Sequence, residues 1–182
     1  MRKKFGAIQA TYQLDRMMVR KFYRFRPADV KDCLRIQASV NYNTLDLIRE
    51  DSPLIKSNSF TIATGKYAND IIQFDDSLSF AISKRLKLLL EDNNVSGWSS
   101  FPINIKGLTE SYFAFQVVSV AGPILNLDAV NNYETEFREF NINTWDGKEI
   151  FSLKDTLLNV CTERVRDIFV KENITNIKIM PL

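Results

Sequence analysis

The sequence predicts an α+β domain in which two similar helix–strand units pack on a mixed or antiparallel sheet. Two observations lead to this prediction. An amphipathic helix followed by a strand is encoded twice, over residues 83–102 and 162–181, and the best strand pattern of the chain lies between the two copies. The length of 182 residues suits one domain with a sizeable core, or two lobes, 1–77 and 78–182, that share a core.

The two units align without a gap at a constant offset of 162 − 83 = 79 residues. In each unit a hydroxyl residue suits the start of a helix, and apolar residues follow at the spacing of one buried helical face. The identical positions are the pairs Arg85 and Arg164, Asn94 and Asn173, and Pro102 and Pro181. Any two amphipathic helices followed by strands look alike. A shared ancestral unit and coincidence are therefore equally good explanations of the similarity.

Further strands are predicted where β-branched and aromatic residues concentrate. They cover residues 17–25, 60–63, 71–74 and 112–120, of which the last is apolar on both faces and should be central. Residues 30–40 fit either a helical face or an irregular strand. Residues 128–137 are polar and could form a short helix, and 140–145 alternate before a tight turn at Asp146-Gly147.

The balance of charge argues against nucleic acid or a membrane as the main partner. Net charge is +2, from 24 basic and 22 acidic residues. Arg24 and Arg26 alternate with Phe22, Tyr23 and Phe25. Aromatic side chains among basic ones can stack on the bases of a nucleic acid, but an ordinary strand has the same pattern. We find no secretory signal and no apolar run that could span a membrane, so we expect a cytoplasmic protein.

The residues needed for common catalytic and metal sites are missing from the sequence. Histidine is absent, and the six glycines form no phosphate-binding loop. Cys33 and Cys161 are too few for a cysteine-rich zinc site, and Cys161 fits a buried free thiol. Asp75 and Asp76 are best explained by a favourable position before a helix. We therefore expect no catalytic residue, no metal and no cofactor.

A partner-binding surface is the remaining functional prediction. The candidates are aromatic residues able to anchor an interface and glutamates of an acidic cluster: Trp98, Tyr112, Glu134, Glu136 and Trp145. Each of them is also explained by a structural role, either in the core or on a solvated face.

Several segments of the carboxy-terminal half together resemble a known family. These segments, within residues 78–182, are Ile82-Ser-Lys-Arg-Leu-Lys, Val95-Ser-Gly-Trp, Phe101-Pro, Tyr112-Phe-Ala-Phe-Gln, Ile150-Phe-Ser-Leu-Lys and Thr162-Glu-Arg. They are similar to bacterial immunity proteins of polymorphic-toxin systems, formerly a domain of unknown function. The chain departs from the family pattern at Asn176, where a glycine is usual. The resemblance implies a cytoplasmic protein that binds and neutralises a cognate toxin, and it carries over no active-site residue.

Three hypotheses follow. The first is a non-catalytic protein that occludes the active site of a toxin. The second is an enzyme or small-ligand protein that uses carboxylates around Asp75, Asp76 or Glu134. The third is a structural, homo-oligomeric module. The sequence leaves the oligomeric state open.

Overall fold

The computed structural model describes residues 21–41, 59–76, 79–125 and 139–182. Within these residues the chain forms eleven strands, two α-helices and one 3-10 helix. In chain order they are β1 Phe22–Pro27, β2 Arg35–Ala38, β3 Ser59–Thr64, β4 Ile71–Phe74, β5 Phe80–Ser83, α1 Lys84–Asp92, β6 Trp98–Lys106, β7 Tyr112–Val117, β8 Val120–Ala121, the 3-10 helix Ile142–Thr144, β9 Ile150–Leu153, β10 Asn159–Thr162, α2 Glu163–Lys171 and β11 Ile177–Pro181.

The strands form two sheets, which confirms the α+β class but corrects the expectation of one simple sheet. One sheet is a closed six-stranded barrel in the order β2-β3-β6-β7-β5-β4, and the other has the order β11-β1-β10-β9-β8. Most pairs are antiparallel, while β2–β4, β3–β6 and β8–β9 are parallel. The apolar pattern shows which strands are buried, but closure depends on pairing between distant strands, which that pattern does not encode.

The two predicted units occupy equivalent places in the two sheets. The elements β4, β5, α1 and β6 correspond to β9, β10, α2 and β11 at the same offset as the sequences. The registers also agree, because Ile71 faces Ile82 just as Ile150 faces Cys161. The helix–strand units are therefore one arrangement used twice.

The two halves of the chain divide between β6 and β7, and the first strand of each half lies in the sheet of the other half. β7 is inserted between β5 and β6, and β1 is inserted between β10 and β11. Their registers correspond as well, since Pro102 faces Phe113 and Pro181 faces Tyr23. The two halves thus exchange strands, and neither sheet is built from one half alone.

Both helices end in the same hydrogen-bonded turn. The amide of Val95 donates to the Leu90 carbonyl at 2.9 Å, and that of Ile174 donates to Phe169 at 3.1 Å. The residue before each amide, Asn94 or Asn173, has a left-handed φ of 52° or 51°. This arrangement is the Schellman motif, and it explains why asparagine is kept at both positions.

The helix starts differ. The Ser83 hydroxyl accepts a hydrogen bond from the Leu86 amide at 3.1 Å, as predicted, whereas the Thr162 side chain makes no capping bond.

Pro181, the second of the two shared prolines, lies on the outer edge of β11. The Leu182 amide donates to the Phe22 carbonyl at 3.0 Å, so the nitrogen of the preceding residue, Pro181, faces away from β1. Because this position faces away from β1, proline costs the ladder no hydrogen bond. Its missing N–H also makes unwanted pairing of another strand with this edge less favourable.

Two predicted segments differ from the observed structure. The strand expected over residues 112–120 is broken after Val117 and resumes as β8. Residues 142–144 form a 3-10 helix instead of an alternating strand, because the side chain of Asn141 accepts from the Asn143 amide and the Thr144 hydroxyl donates to the Asn141 carbonyl. The helix considered over 128–137 lies outside the described residues, as do residues 17–20 of the first predicted strand.

The core has three parts. One lies between the helices and both sheets, where the rings of Phe25 and Phe115, from the two exchanged strands, approach to 6.3 Å. The second fills the barrel, and the third covers the other face of the five-stranded sheet around Phe151. In the described ranges no helix is long and apolar enough to cross a membrane.

Replacing Gly97 with alanine should destabilise the protein strongly. Its φ is +93°, and an added Cβ would lie 1.8 Å from the Ile150 carbonyl oxygen. Left-handed strain and this clash together should lower the free energy of unfolding by about 3 kcal/mol or more, measured by urea denaturation. Gly107→Ala is the control: its φ is +86° but nothing lies within 4 Å of the added carbon, so only about 1–2 kcal/mol is expected. Equal losses at the two positions would contradict the role of the close approach.

Candidate functional site

The structure corrects the prediction that Tyr112 belongs to a partner surface. Tyr112 is only 2% exposed, and its hydroxyl donates to the Asn69 carbonyl at 2.6 Å. Burial raises the pKa of the phenol well above its ordinary value. The residue is therefore part of the barrel core, since alternation along β7 turns it inward.

The two tryptophans are half-buried and lie in different core regions. Trp98 stacks on Phe115 at 5.7 Å, and its indole N–H donates to Val95 at 2.8 Å. Trp145 contacts Phe22 edge-on at 5.2 Å, and its indole N–H donates to the Lys148 carbonyl. The structure therefore does not bring the predicted aromatic residues together. Glu134 and Glu136 lie outside the described residues.

Asp75 and Asp76 lie in the turn between β4 and β5, so their predicted position before a helix was wrong. β5 separates them from α1. Asp76 accepts a hydrogen bond from the Ser79 amide at 2.8 Å, which is a turn-forming contact. Within the described ranges no group of three or more histidine, cysteine or acidic residues is placed to hold a metal.

Sequence reasoning missed a buried carboxylate, Asp70, which directly precedes β4. Its side chain is 7% exposed and pairs with Arg85, whose Nη2 lies 2.5 Å from Oδ2. The amide and hydroxyl of Thr175 also donate to Oδ2, each at 2.9 Å, and the Ser83 hydroxyl donates to Oδ1. Burial alone would raise the pKa of this carboxyl, but these hydrogen bonds, led by that of Arg85, outweigh it and hold the pKa below its ordinary value.

The corresponding residue in the other half is Glu149, and it makes the corresponding ion pair with Arg164 at 2.5 Å. Each arginine also reaches the end of the opposite helix. Arg85 donates to the Glu172 carbonyl at 3.2 Å, and Arg164 donates to the Asn93 carbonyl at 2.6 Å. These paired contacts tie the two halves together and use the acidic groups structurally.

One difference between the halves is a surface connection. β1 and β2 are joined by residues 28–34, whereas the equivalent strands β7 and β8 are joined only by Val118 and Ser119. Within the longer connection Asp29 and Asp32 have left-handed φ values of 55° and 58°. Non-glycine residues adopt this conformation at a cost, and long exposed connections on a rigid scaffold often carry binding residues.

Two large apolar side chains are exposed at this connection. Val30 is 49% exposed and Tyr67 is 61% exposed. Tyr67 is held against the connection because the Leu34 amide donates to its carbonyl at 3.0 Å, while its own amide donates to Asp32. An exposed tyrosine on a fixed backbone has the properties of an interface anchor.

Five basic residues lie in or next to the segments that carry this apolar pair. Arg35 pairs with Asp29 at 2.6 Å, Arg26 lies 3.9 Å from the same carboxylate, and Lys178 lies directly opposite Arg26 in the β1–β11 ladder. Lys31 lies within the connection and Lys66 precedes Tyr67, with its backbone amide donating to the Asp32 carbonyl; both lysines are exposed. We name this set the basic surface: Arg26, Val30, Lys31, Arg35, Lys66, Tyr67 and Lys178.

Sequence reasoning did not find the basic surface because its residues come from three distant segments. The only local signal was the alternation of arginine and aromatic residues in β1, and the sheet explains that alternation. What joins the segments is Asn176, whose side-chain oxygen accepts from the Val30 amide at 3.0 Å and whose amide group donates to Ile71. Asn176 also takes the left-handed position of its counterpart Gly97.

Removing the Asp70 carboxylate should cost more stability than removing its counterpart. Asp70→Asn gives up charge-assisted hydrogen bonds in a buried place, and the free energy of unfolding should fall by about 2 kcal/mol. Glu149→Gln, whose side chain is 19% exposed and pairs with a half-exposed arginine, should cost about 1 kcal/mol or less. Denaturant titration of both variants measures the difference, and a larger loss for Glu149→Gln would contradict this account.

The same carboxylate should make stability depend on pH. Its folded-state pKa is lowered, so its contribution is complete above the unfolded-state value of about 3.9 and is lost as pH falls through the folded-state value. The free energy of unfolding of the wild type should therefore fall more steeply below about pH 4 than that of Asp70→Asn. Identical pH profiles would show that folding does not shift the pKa of Asp70, and they would contradict this account.

No protein-family model matches the chain, and no curated protein sequence matches it.

Proposed function

We propose that this protein works by binding another protein through the basic surface, and that the partner is an acidic bacterial toxin which it neutralises in the cytoplasm by covering the active site. The observation that carries the proposal is the exposed pair Val30 and Tyr67 in segments that also carry exposed basic residues. Apolar anchors inside a charged rim are the usual composition of a protein interface.

Protein is favoured over nucleic acid by the charge within the surface itself. Asp29 lies between Arg26 and Arg35, and its carboxylate would repel a phosphate backbone. The charge of the whole chain, +2, is also small. A partner that presents acidic side chains around an apolar patch complements this mixture and would be steered to it in solution.

The class of partner comes from the sequence resemblance to immunity proteins. That resemblance supports occlusion because it carries over no catalytic residue. Asp70 and Tyr112 both bond to groups that hold the fold together. A rigid surface that covers a toxin requires only complementary shape and charge.

The test is capture of partners with tagged protein from its native bacterium, followed by binding measurements on purified components. Wild type should retain one stoichiometric partner, bind it with measurable affinity and inhibit its toxic activity at equimolar concentration. Tyr67→Ala and Val30→Asp should each weaken binding at least about tenfold, the effect of losing an interface anchor worth more than about 1.4 kcal/mol.

Val118→Asp is the matched control for Val30→Asp. Val118 is 61% exposed and lies in the equivalent connection of the other half, so the same change there should leave affinity unaltered. Equal effects of the two aspartates would contradict the proposal. Retention of nucleic acid that depends on Lys31 and Lys66, with no protein partner, would replace it with the nucleic-acid alternative.

A further inference from the structure

The outer edge of β11 lies beside the basic surface, and its backbone amides and carbonyls are positioned to bond to another strand. The amide of Ala28 donates to Asn176, and that of Leu182 donates to Phe22, so residues 176, 178, 180 and 182 face β1. The amides and carbonyls of Ile177 and Ile179 therefore point outward. Among the described strands none pairs with this edge.

The two faces beside this edge differ in chemistry. Ile177 and Ile179 are partly buried against the first core. On the opposite face, Lys178 and Arg26 are directly opposed across the β11–β1 ladder. Like charges in such a pair destabilise a sheet unless an anion compensates them. Within the described residues Lys178 has no carboxylate at ion-pair distance, and Arg26 has only Asp29, at 3.9 Å.

The fold itself does not require this pair of cations. Their counterparts in the barrel are Ser99 and Gln116, which face each other and share a hydrogen bond of 3.1 Å. In the barrel β3 pairs with the outer edge of β6, at Asn104 to Lys106, which lie beyond the counterparts of Ile177 and Ile179. The charge on the β11 side is thus a feature of that surface alone.

We infer that the partner contributes an extended segment of alternating acidic and apolar residues, which adds to β11 as a further strand. Its acidic side chains lie beside Lys178 and Arg26, and its apolar side chains lie beside Ile177 and Ile179. Pro181 offers no N–H at the edge, so the pairing is short and centres on Ile177 to Ile179. Addition of a peptide strand to a sheet edge is a common recognition mode. This inference rests on the proposed protein-binding function and names the chemistry of its partner.

The experiment uses the whole protein and a short peptide of alternating glutamate and valine, acetylated and amidated at its ends. Binding is followed by fluorescence anisotropy, and amide hydrogen exchange of Ile177 and Ile179 is followed by NMR. The peptide should bind, and it should slow exchange at both amides. A matched peptide of alternating lysine and valine should not bind, and neither should the glutamate–valine peptide with methylated backbone nitrogens.

Lys178→Glu should weaken binding of the glutamate–valine peptide about fivefold or more, the effect of about 1 kcal/mol from an exposed ion pair. Arg26→Gln should weaken it in the same direction. Lys171→Glu, an exposed change in α2, is the control and should have no effect. No binding, binding of both peptides alike, or binding without protection of Ile177 and Ile179 would each overturn the inference.

These outcomes are separate from those that test the proposed function. If the peptide fails while Tyr67→Ala still abolishes binding of a captured partner, the basic surface binds protein without strand addition. If no partner depends on Tyr67 or Val30, the proposed function itself fails, whatever the peptide does.

Discussion

The exchange of β1 and β7 between the two halves is the constraint on which the rest of the structure depends. Each strand is central in its sheet and supplies one ring of the Phe25–Phe115 contact. Because each half lacks a central strand without the other, the helices pack on a shared core and not on two separate ones. This arrangement makes the two sheets one cooperative unit.

Two arginines also connect the two halves of the chain through polar contacts. Arg85 and Arg164 each pair with an acid of their own half and with a carbonyl at the end of the other half's helix. An arginine satisfies both because its guanidinium donates in several directions at once. The identity of these two residues in an otherwise divergent pair of units follows from this double contact.

The sequence predicted the parts of the fold that depend on local patterns. The helix faces and the similarity of the two helix–strand units both follow from spacing along one segment. Closure of the barrel and the insertion of β1 depend on pairing between residues such as Tyr23 and Cys161, far apart in the chain, which periodicity does not record. For the same reason the residues predicted to form a site differ from those that we propose. The aromatic character of Tyr112 is visible in the sequence, but its burial is not. Lys66 and Lys178 lie far apart in the sequence, and their shared surface becomes visible only when Asn176 brings their segments together.

The position of β1 also determines the order in which this protein can fold during synthesis. β1 is made first, yet both of its neighbours, β10 and β11, are among the last elements made. Until β10 and β11 leave the ribosome, β1 has no native sheet in which Phe22 and Phe25 could be buried. The barrel, in contrast, can close as soon as β7 has been made. The barrel should therefore form first, and the second sheet should form late and slowly, since its pairing spans almost the whole described chain.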